Sequence, residues 1–146
     1  MERKAKESNF GIEVKAIIID SNDNVLLLKK SKKNENWDFP SGKVMFGENV
    51  YNTVWRVVKE QTDLDVEIEG PSNIWTLKIT EFLHTMCISF LCVWSGVETL
   101  KKNKDSENEE IFLSNEYDDY EWLSSEKIIN GEFPVWIKDE IKMLNE

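Results

Sequence analysis

The chain has 146 residues, 40% hydrophobic and 11% aromatic, and its 18 Lys and Arg against 28 Asp and Glu give a formal net charge of −10. That length supports one domain with a core of ordinary size, and the apolar content, with six tryptophans, excludes a disordered chain. The acidic balance disfavours general nucleic-acid binding, although a bound divalent cation or a few local lysines can reverse the sign inside one pocket.

Residues Met1 to Asn9 are expected to be a flexible terminus, and residues 10–146 a single domain. The terminus is charged with no apolar region behind it, so no signal peptide is expected and the default location is cytoplasmic. The longest apolar run, Met86 to Trp94, is far too short to span a bilayer, so no membrane role is expected. Ile12 to Ile19 and Val25 to Leu28 are apolar and flank the turn-forming Asp20-Ser21-Asn22-Asp23-Asn24, which predicts a β-hairpin. Lys29 to Glu35 reads as a charged loop, and Trp37-Asp38-Phe39-Pro40-Ser41-Gly42 as a stiff turn.

Asn49 is a plausible N-cap for a helix running to about Thr62. Tyr51, Val54, Trp55 and Val58 recur at helical spacing and predict its buried stripe, while Val57, Glu60 and Gln61 share a neighbouring face. Asp63 can stop the helix, though glycine would adopt a left-handed cap at less strain. Leu64 to Ile68 suggests a short strand. Asn73 to Thr80 and Leu83 to Val93 are the clearest further strands, the second apolar on both faces and therefore expected to be central. Residues 97–110 are polar and of low complexity, which predicts a mobile loop. Tyr120 to Leu123 reads as a last strand, Ser124 or Ser125 caps a short helix, and Pro134 opens a C-terminal helix through about Leu144. No internal repeat is visible, and the intermixed elements predict an α/β fold, a mixed β-sheet sandwiched between helices.

Cys87 and Cys92 lie an odd number of residues apart in one strand, on opposite faces, and read as small buried hydrophobes. The single histidine, His84, rules out the usual zinc constellations and is read as a packed or pocket-wall residue. By alternation alone, Trp75, His84, Phe90 and Trp94 are candidate pocket walls.

Between residues 42 and 64, Gly42, Glu48, Arg56, Val58, Glu60 and Leu64 fall on the pattern G-x5-E-x7-R-E-U-x-E-E-x-G-U, where U is a bulky apolar residue. This closely resembles the Nudix box. Trp37 and Pro40 precede the motif glycine as the family's tryptophan and proline commonly do. Downstream, Glu116 and Trp122 are similar to an E-x5-W arrangement of MutT-like members, so the resemblance extends along nearly the whole chain. Three positions depart from the pattern: Val57 and Gln61 stand where the family has glutamates, and Asp63 where it has glycine.

The resemblance implies the Nudix fold and cleavage of a pyrophosphate bond in a nucleoside diphosphate derivative, with Mg²⁺, or Mn²⁺, as cofactor. Such a reaction needs charge neutralisation on the diphosphate oxygens and a water placed in line. A helix with carboxylates at i, i+3 and i+4 can offer them to one hard cation, which itself keeps waters and substrate oxygens as ligands. Carried over to this chain, the implied catalytic residues are Glu60, Glu116, Glu48 and Arg56. Glu60, Glu116, Gln61 and the backbone carbonyl of Ser41 are the implied metal ligands, and Lys30 and Lys43 the implied substrate contacts. Glu48, Glu109 and Glu110 are reserve acids.

Each has a plainer reading. Glu60 is what any solvated helix face offers, Glu48 with Arg56 is a structural ion pair, and Glu116 is one more acid in an acidic loop. Lys29, Lys30, Lys32 and Lys33 form a charge run of the kind usually found on solvated surface, and Val57 is an extra apolar contact. Two functions follow: a Mg²⁺-dependent hydrolase with a weakened site, or a catalytically silent domain that binds a nucleotide or a protein partner. A small phosphorylated molecule is the expected ligand. Homodimers are common among relatives, but no residue specifies one here.

Overall fold

The computed structural model describes residues 9–30, 36–96 and 111–145. The expected flexible terminus over residues 1–8, most of the charged loop (31–35), the mobile connection at 97–110 and the reserve acids Glu109 and Glu110 lie outside these described residues. Asn9 itself opens the first strand.

The described residues form a seven-stranded mixed sheet from β1 (Asn9–Ile19), β2 (Val25–Lys30), β3 (Trp37–Asp38), β4 (Ser41–Lys43), β5 (Glu67–Lys78), β6 (Leu83–Val93) and β7 (Tyr117–Leu123). Helix α1 (Val50–Thr62) follows β4, and α2 (Ser125–Asn130) and α3 (Val135–Leu144) follow β7. The main strand order is β3-β2-β1-β6-β5, with β4 paired to β1 and β7 to β2. At its centre β1 and β6 run parallel in unbroken register from Asn9 opposite Leu83 to Ile19 opposite Val93.

Strand alternation explains the layers. Val14, Ala16 and Ile18 of β1, with Leu26 and Leu28 of β2, join Val54, Val57 and Val58 of α1 in one core cluster. Ile17, Val25 and Leu27 point the other way and join Ile128 of α2 and Ile137 and Ile141 of α3 in a second. A sheet covered on both faces needs apolar residues at consecutive positions, hence the uninterrupted run in β1. The α/β sandwich expected from the sequence is the fold observed. No helix among the described residues is long and apolar enough to cross a membrane.

Local signals act where their chemistry predicts. The Asp20 carboxylate accepts hydrogen bonds from the backbone N–H groups of Asn22 and Asn24, both at 2.9 Å, closing the β1–β2 turn. Asn49 caps α1 by accepting the Asn52 N–H at 2.9 Å, and Ser124 caps α2 by accepting the Lys127 N–H at 3.2 Å. Asp63 ends α1 in the left-handed region at φ 64°, a conformation that aspartate tolerates better than most residues. Of the short strand expected over Leu64 to Ile68, only Glu67 and Ile68 are strand, and they open the long β5 instead, where irregular pairing between Ile68 and Gly70 and between Pro71 and Asn73 lets an outer strand carry a proline. Cys87 and Cys92 are buried free thiols, and burial raises their pKa values to about 11 and about 12.

The buried stripe of α1 differs from the expectation. Tyr51 and Trp55 are 47% and 53% exposed, while Thr53, Val54, Val57, Val58, Gln61 and Thr62 face inward. Val57 is only 1% exposed and belongs to the core. Its burial goes with a close approach by β4: a Cβ added at Gly42 would lie 2.5 Å from Val57 Cγ2. Gly42→Ala is therefore expected to destabilise the domain by about 1–3 kcal/mol. In a Val57→Ala background the nearest remaining atom, Cβ, is at 3.7 Å, an ordinary contact, so most of that penalty should vanish. A double-mutant cycle by urea denaturation checks it; additive losses would show that the two positions do not meet.

Candidate active site

The loop from β4 into α1 is organised by one carboxylate and one guanidinium. Glu48 Oε1 accepts the Met45 N–H at 3.0 Å and the Thr53 hydroxyl at 2.9 Å. Arg56 reaches the same carboxylate twice, Nε to Oε2 at 2.7 Å and Nη2 to Oε1 at 2.9 Å, in the bidentate geometry that a planar fork favours. Arg56 Nη2 also donates to the Lys43 carbonyl at 3.0 Å, and Nη1 to Glu60 Oε1 at 3.3 Å. One side chain thus ties the start of the loop, its end and the helix together. The hydrogen bonds from Arg56, then from the Met45 N–H, hold the Glu48 pKa down at about 2.

Gln61, one turn beyond Val57, is buried and spent on the backbone of β4. Its Oε1 accepts the Ser41 N–H at 3.1 Å and its Nε2 donates to the Ser41 carbonyl at 2.7 Å. A donor on one side and an acceptor on the other fix which end of the amide is which. Ser41 completes its own satisfaction by donating its hydroxyl to the Phe39 carbonyl at 2.7 Å.

The residues expected to hold a cation therefore sit as follows. Glu60 is on the solvent side of α1 with its side chain 59% exposed, ion-paired to Arg56. Gln61 was expected to coordinate a cation or orient its water; its amide instead faces Ser41. The Ser41 carbonyl was expected as a further ligand and is the acceptor for that amide, so an approaching cation would meet an N–H donor beside it. Glu116 is exposed in the turn before β7. Glu48 is committed to Arg56, Thr53 and Met45. Among the described residues no group of three His, Cys, Asp or Glu side chains could hold a metal ion. Among the described residues, the donor set does not fit the divalent cluster that the motif implies.

Of the expected substrate contacts, Lys43 has an exposed side chain at the end of β4, and Lys30 is exposed at the end of β2. Lys30 borders a recess of about 260 Å³ with Asn36, Trp37, Asp38, Pro134 and Trp136. No residue of α1 lines it. The four suggested pocket walls are divided by the sheet: Phe90 and Trp94 are in the α1-side core, and Trp94 stacks on Trp122 at 5.4 Å. Trp75 packs against Trp136 of α3 at 5.2 Å, and His84 meets Phe10 edge-on at 5.5 Å.

Behind that recess lies a buried polar group absent from the sequence reading. Lys15 is 3% exposed, its ammonium is 3.2 Å from both Asp38 oxygens, and it lies 4.7 Å from the centre of the Trp136 ring. Burial raises the Asp38 pKa in spite of the lysine. Asn73 Nδ2 donates to the buried Glu140 at 2.7 Å, and Trp75 Nε1 to the Ser89 hydroxyl at 3.0 Å. The available signal was Lys15 itself, which with Glu13 (3.7 Å away) interrupts an otherwise apolar run, and a fold tolerates a buried charge only when it supplies a partner.

Stability should carry the mark of Glu48. Its folded pKa lies below the ordinary 4.5, so its contribution is present above that value and is lost as the pH falls toward about 2. Urea denaturation across this window should show wild-type stability falling toward that of Glu48→Gln, whose own curve lacks this component. A wild-type minus variant difference that stays constant with pH would contradict the assignment.

Comparison with known proteins agrees with the motif. The NUDIX domain family model matches residues 9–143. The structure resembles a MutT protein from Methanosarcina mazei Go1 with TM-score 0.74 and 25% identity over 95% of each chain. It also resembles the E. coli dihydroneopterin triphosphate pyrophosphohydrolase, with TM-score 0.72 and 15% identity over 94% of this chain and 99% of that one. A C. elegans Ap4A hydrolase gives TM-score 0.71 and 17% identity over 92% and 95% of the two chains. No curated protein sequence matches significantly. Hydrolases of this family generally use divalent metal ions. With the motif frame in place around Arg56 and a family match spanning nearly every residue, the chain belongs to the NUDIX domain family.

Proposed function

We propose that this chain is a Nudix domain that binds a nucleotide derivative without divalent-cation-dependent turnover. One observation carries the reading: at the two helix positions where the motif has glutamates, Val57 fills the core against Gly42 and Gln61 closes on Ser41. Two of the three helix carboxylates are gone and the carbonyl beside them is engaged. The recess lined by Trp37, Trp136, Lys30 and Asp38 supports the ligand class. Aromatic side chains suit a heteroaromatic ring and the exposed lysine suits a phosphate, while the Asp38 carboxylate is already engaged by Lys15 and the Phe39 N–H.

The second reading, a Mg²⁺- or Mn²⁺-dependent hydrolase cleaving a pyrophosphate bond at a weakened site, is supported by the intact Glu48–Arg56–Glu60 network and by the exposure of Glu60. Glu60 and Glu116 would be its acids, with Lys30 or Lys43 against phosphate.

Two measurements on the purified chain separate them. Thermal unfolding with a panel of nucleoside diphosphate derivatives is expected to show stabilisation of similar size in EDTA and in Mg²⁺. Phosphate-release and product assays on the same panel are expected to show no turnover that Mg²⁺ or Mn²⁺ increases. Cation-dependent turnover of any panel member would replace the first reading by the second. The restored variant Val57→Glu with Gln61→Glu is expected to be less stable, since it places a carboxylate in the core at a penalty of a few kcal/mol. Turnover appearing only in that variant would identify the substituted glutamates as the missing chemistry.

A further inference from the structure

We infer that the Gln61 carboxamide takes over the structural work of a divalent cation, clamping helix α1 to the β4 backbone through Ser41. This role rests on the cation-free reading of the site above. A cation bridging a helix carboxylate to a carbonyl joins two oxygen acceptors that would otherwise repel. A carboxamide achieves the same join alone, because its own N–H is the positive end. Here both halves of the amide are used, at 3.1 and 2.7 Å, on the N–H and C=O of a single residue 20 positions away.

The surroundings are consistent with a site that has no need of a cation. Val57 presents methyl groups where a second carboxylate would need neutralising, and they lie against Gly42. The remaining acid, Glu60, already has its counter-charge in Arg56 at 3.3 Å. The loop conformation is held by Arg56 and Glu48 without outside help. Gln61→Glu would place a carboxylate against the Ser41 carbonyl, acceptor facing acceptor, and that arrangement closes only with a cation between them.

The test is thermal unfolding of the full chain and its variants in EDTA, in MgCl₂ and in MnCl₂. The wild-type midpoint should be the same in all three. Gln61→Glu should melt lower in EDTA by roughly 5–10 °C and regain at least half of that with Mg²⁺ or Mn²⁺. Gln61→Met, which removes the clamp without adding charge, should melt lower in all three and respond to neither ion. If Gln61→Glu folds only with a cation present, that is the same rescue in stronger form. Three results overturn the inference: a wild-type midpoint raised several degrees by either ion, a Gln61→Met protein as stable as wild type, or no cation rescue in either Gln61→Glu or Val57→Glu with Gln61→Glu. Turnover by the wild-type chain with an unmoved midpoint would overturn the functional reading instead, so the two failures are distinguishable.

Discussion

Helix α1 can approach the β4 backbone as closely as it does because position 42 has no side chain. Val57 Cγ2 occupies the space that a Cβ would take, at 2.5 Å from where that atom would stand. The contact sets the depth at which α1 lies on the sheet, and so brings Gln61 within hydrogen-bonding reach of Ser41 one turn later. It also fixes which face of the helix is buried. With Val54, Val57, Val58 and Gln61 inward, Glu60 lies at the edge of the buried face with its side chain 59% exposed, and Tyr51 and Trp55 are about half exposed. A glutamate at position 57 would have to leave this packing or bring a cation into it.

The motif thus separates into a mechanical part and a chemical part, which respond differently to substitution. Arg56 belongs to the first: its donors meet acceptors on Lys43, Glu48 and Glu60, and the loop has no equivalent support without it. A charged bidentate contact of this kind is sensitive to geometry and has few substitutes. The helix carboxylates belong to the second. Carboxylates grouped there would repel one another unless a cation lay between them, whereas Val57 packs against Gly42 and Gln61 closes on Ser41.

The other face of the sheet carries polar groups whose burial is compensated within the fold. Lys15 is neutralised by Asp38 and covered by Trp136, and Asn73 and Glu140 satisfy each other between β5 and α3. The recess beside them shares Asp38 and Trp136 with this buried group. The motif helix α1 and the helix α3 that borders this recess belong to different core clusters, on opposite faces of the sheet.

Local chemistry was legible before any coordinates. The turn at Asp20, the cap at Asn49, the stop at Asp63, the cap at Ser124 and the double-sided strand β6 each follow from side chains acting on their own neighbourhood. The motif spacing likewise located Glu48 opposite Arg56, because both lie within one loop and one helix. Of the expected helix stripe, Val54 and Val58 are buried, whereas Tyr51, edge-on to Phe90 at 5.2 Å, and Trp55 stay about half exposed, because the face set deepest on the sheet is the one bearing Val54, Val57 and Val58. That Gln61 would bind backbone 20 residues away, and that Lys15 would be buried between Asp38 and Trp136, were also decided by tertiary structure. The sequence by itself determined the family resemblance, most of the elements, and that Val57 and Gln61 stand where the motif has glutamates. Only the fold determined what those two side chains do, because a hydrogen bond or a packed methyl depends on which distant backbone is brought against it.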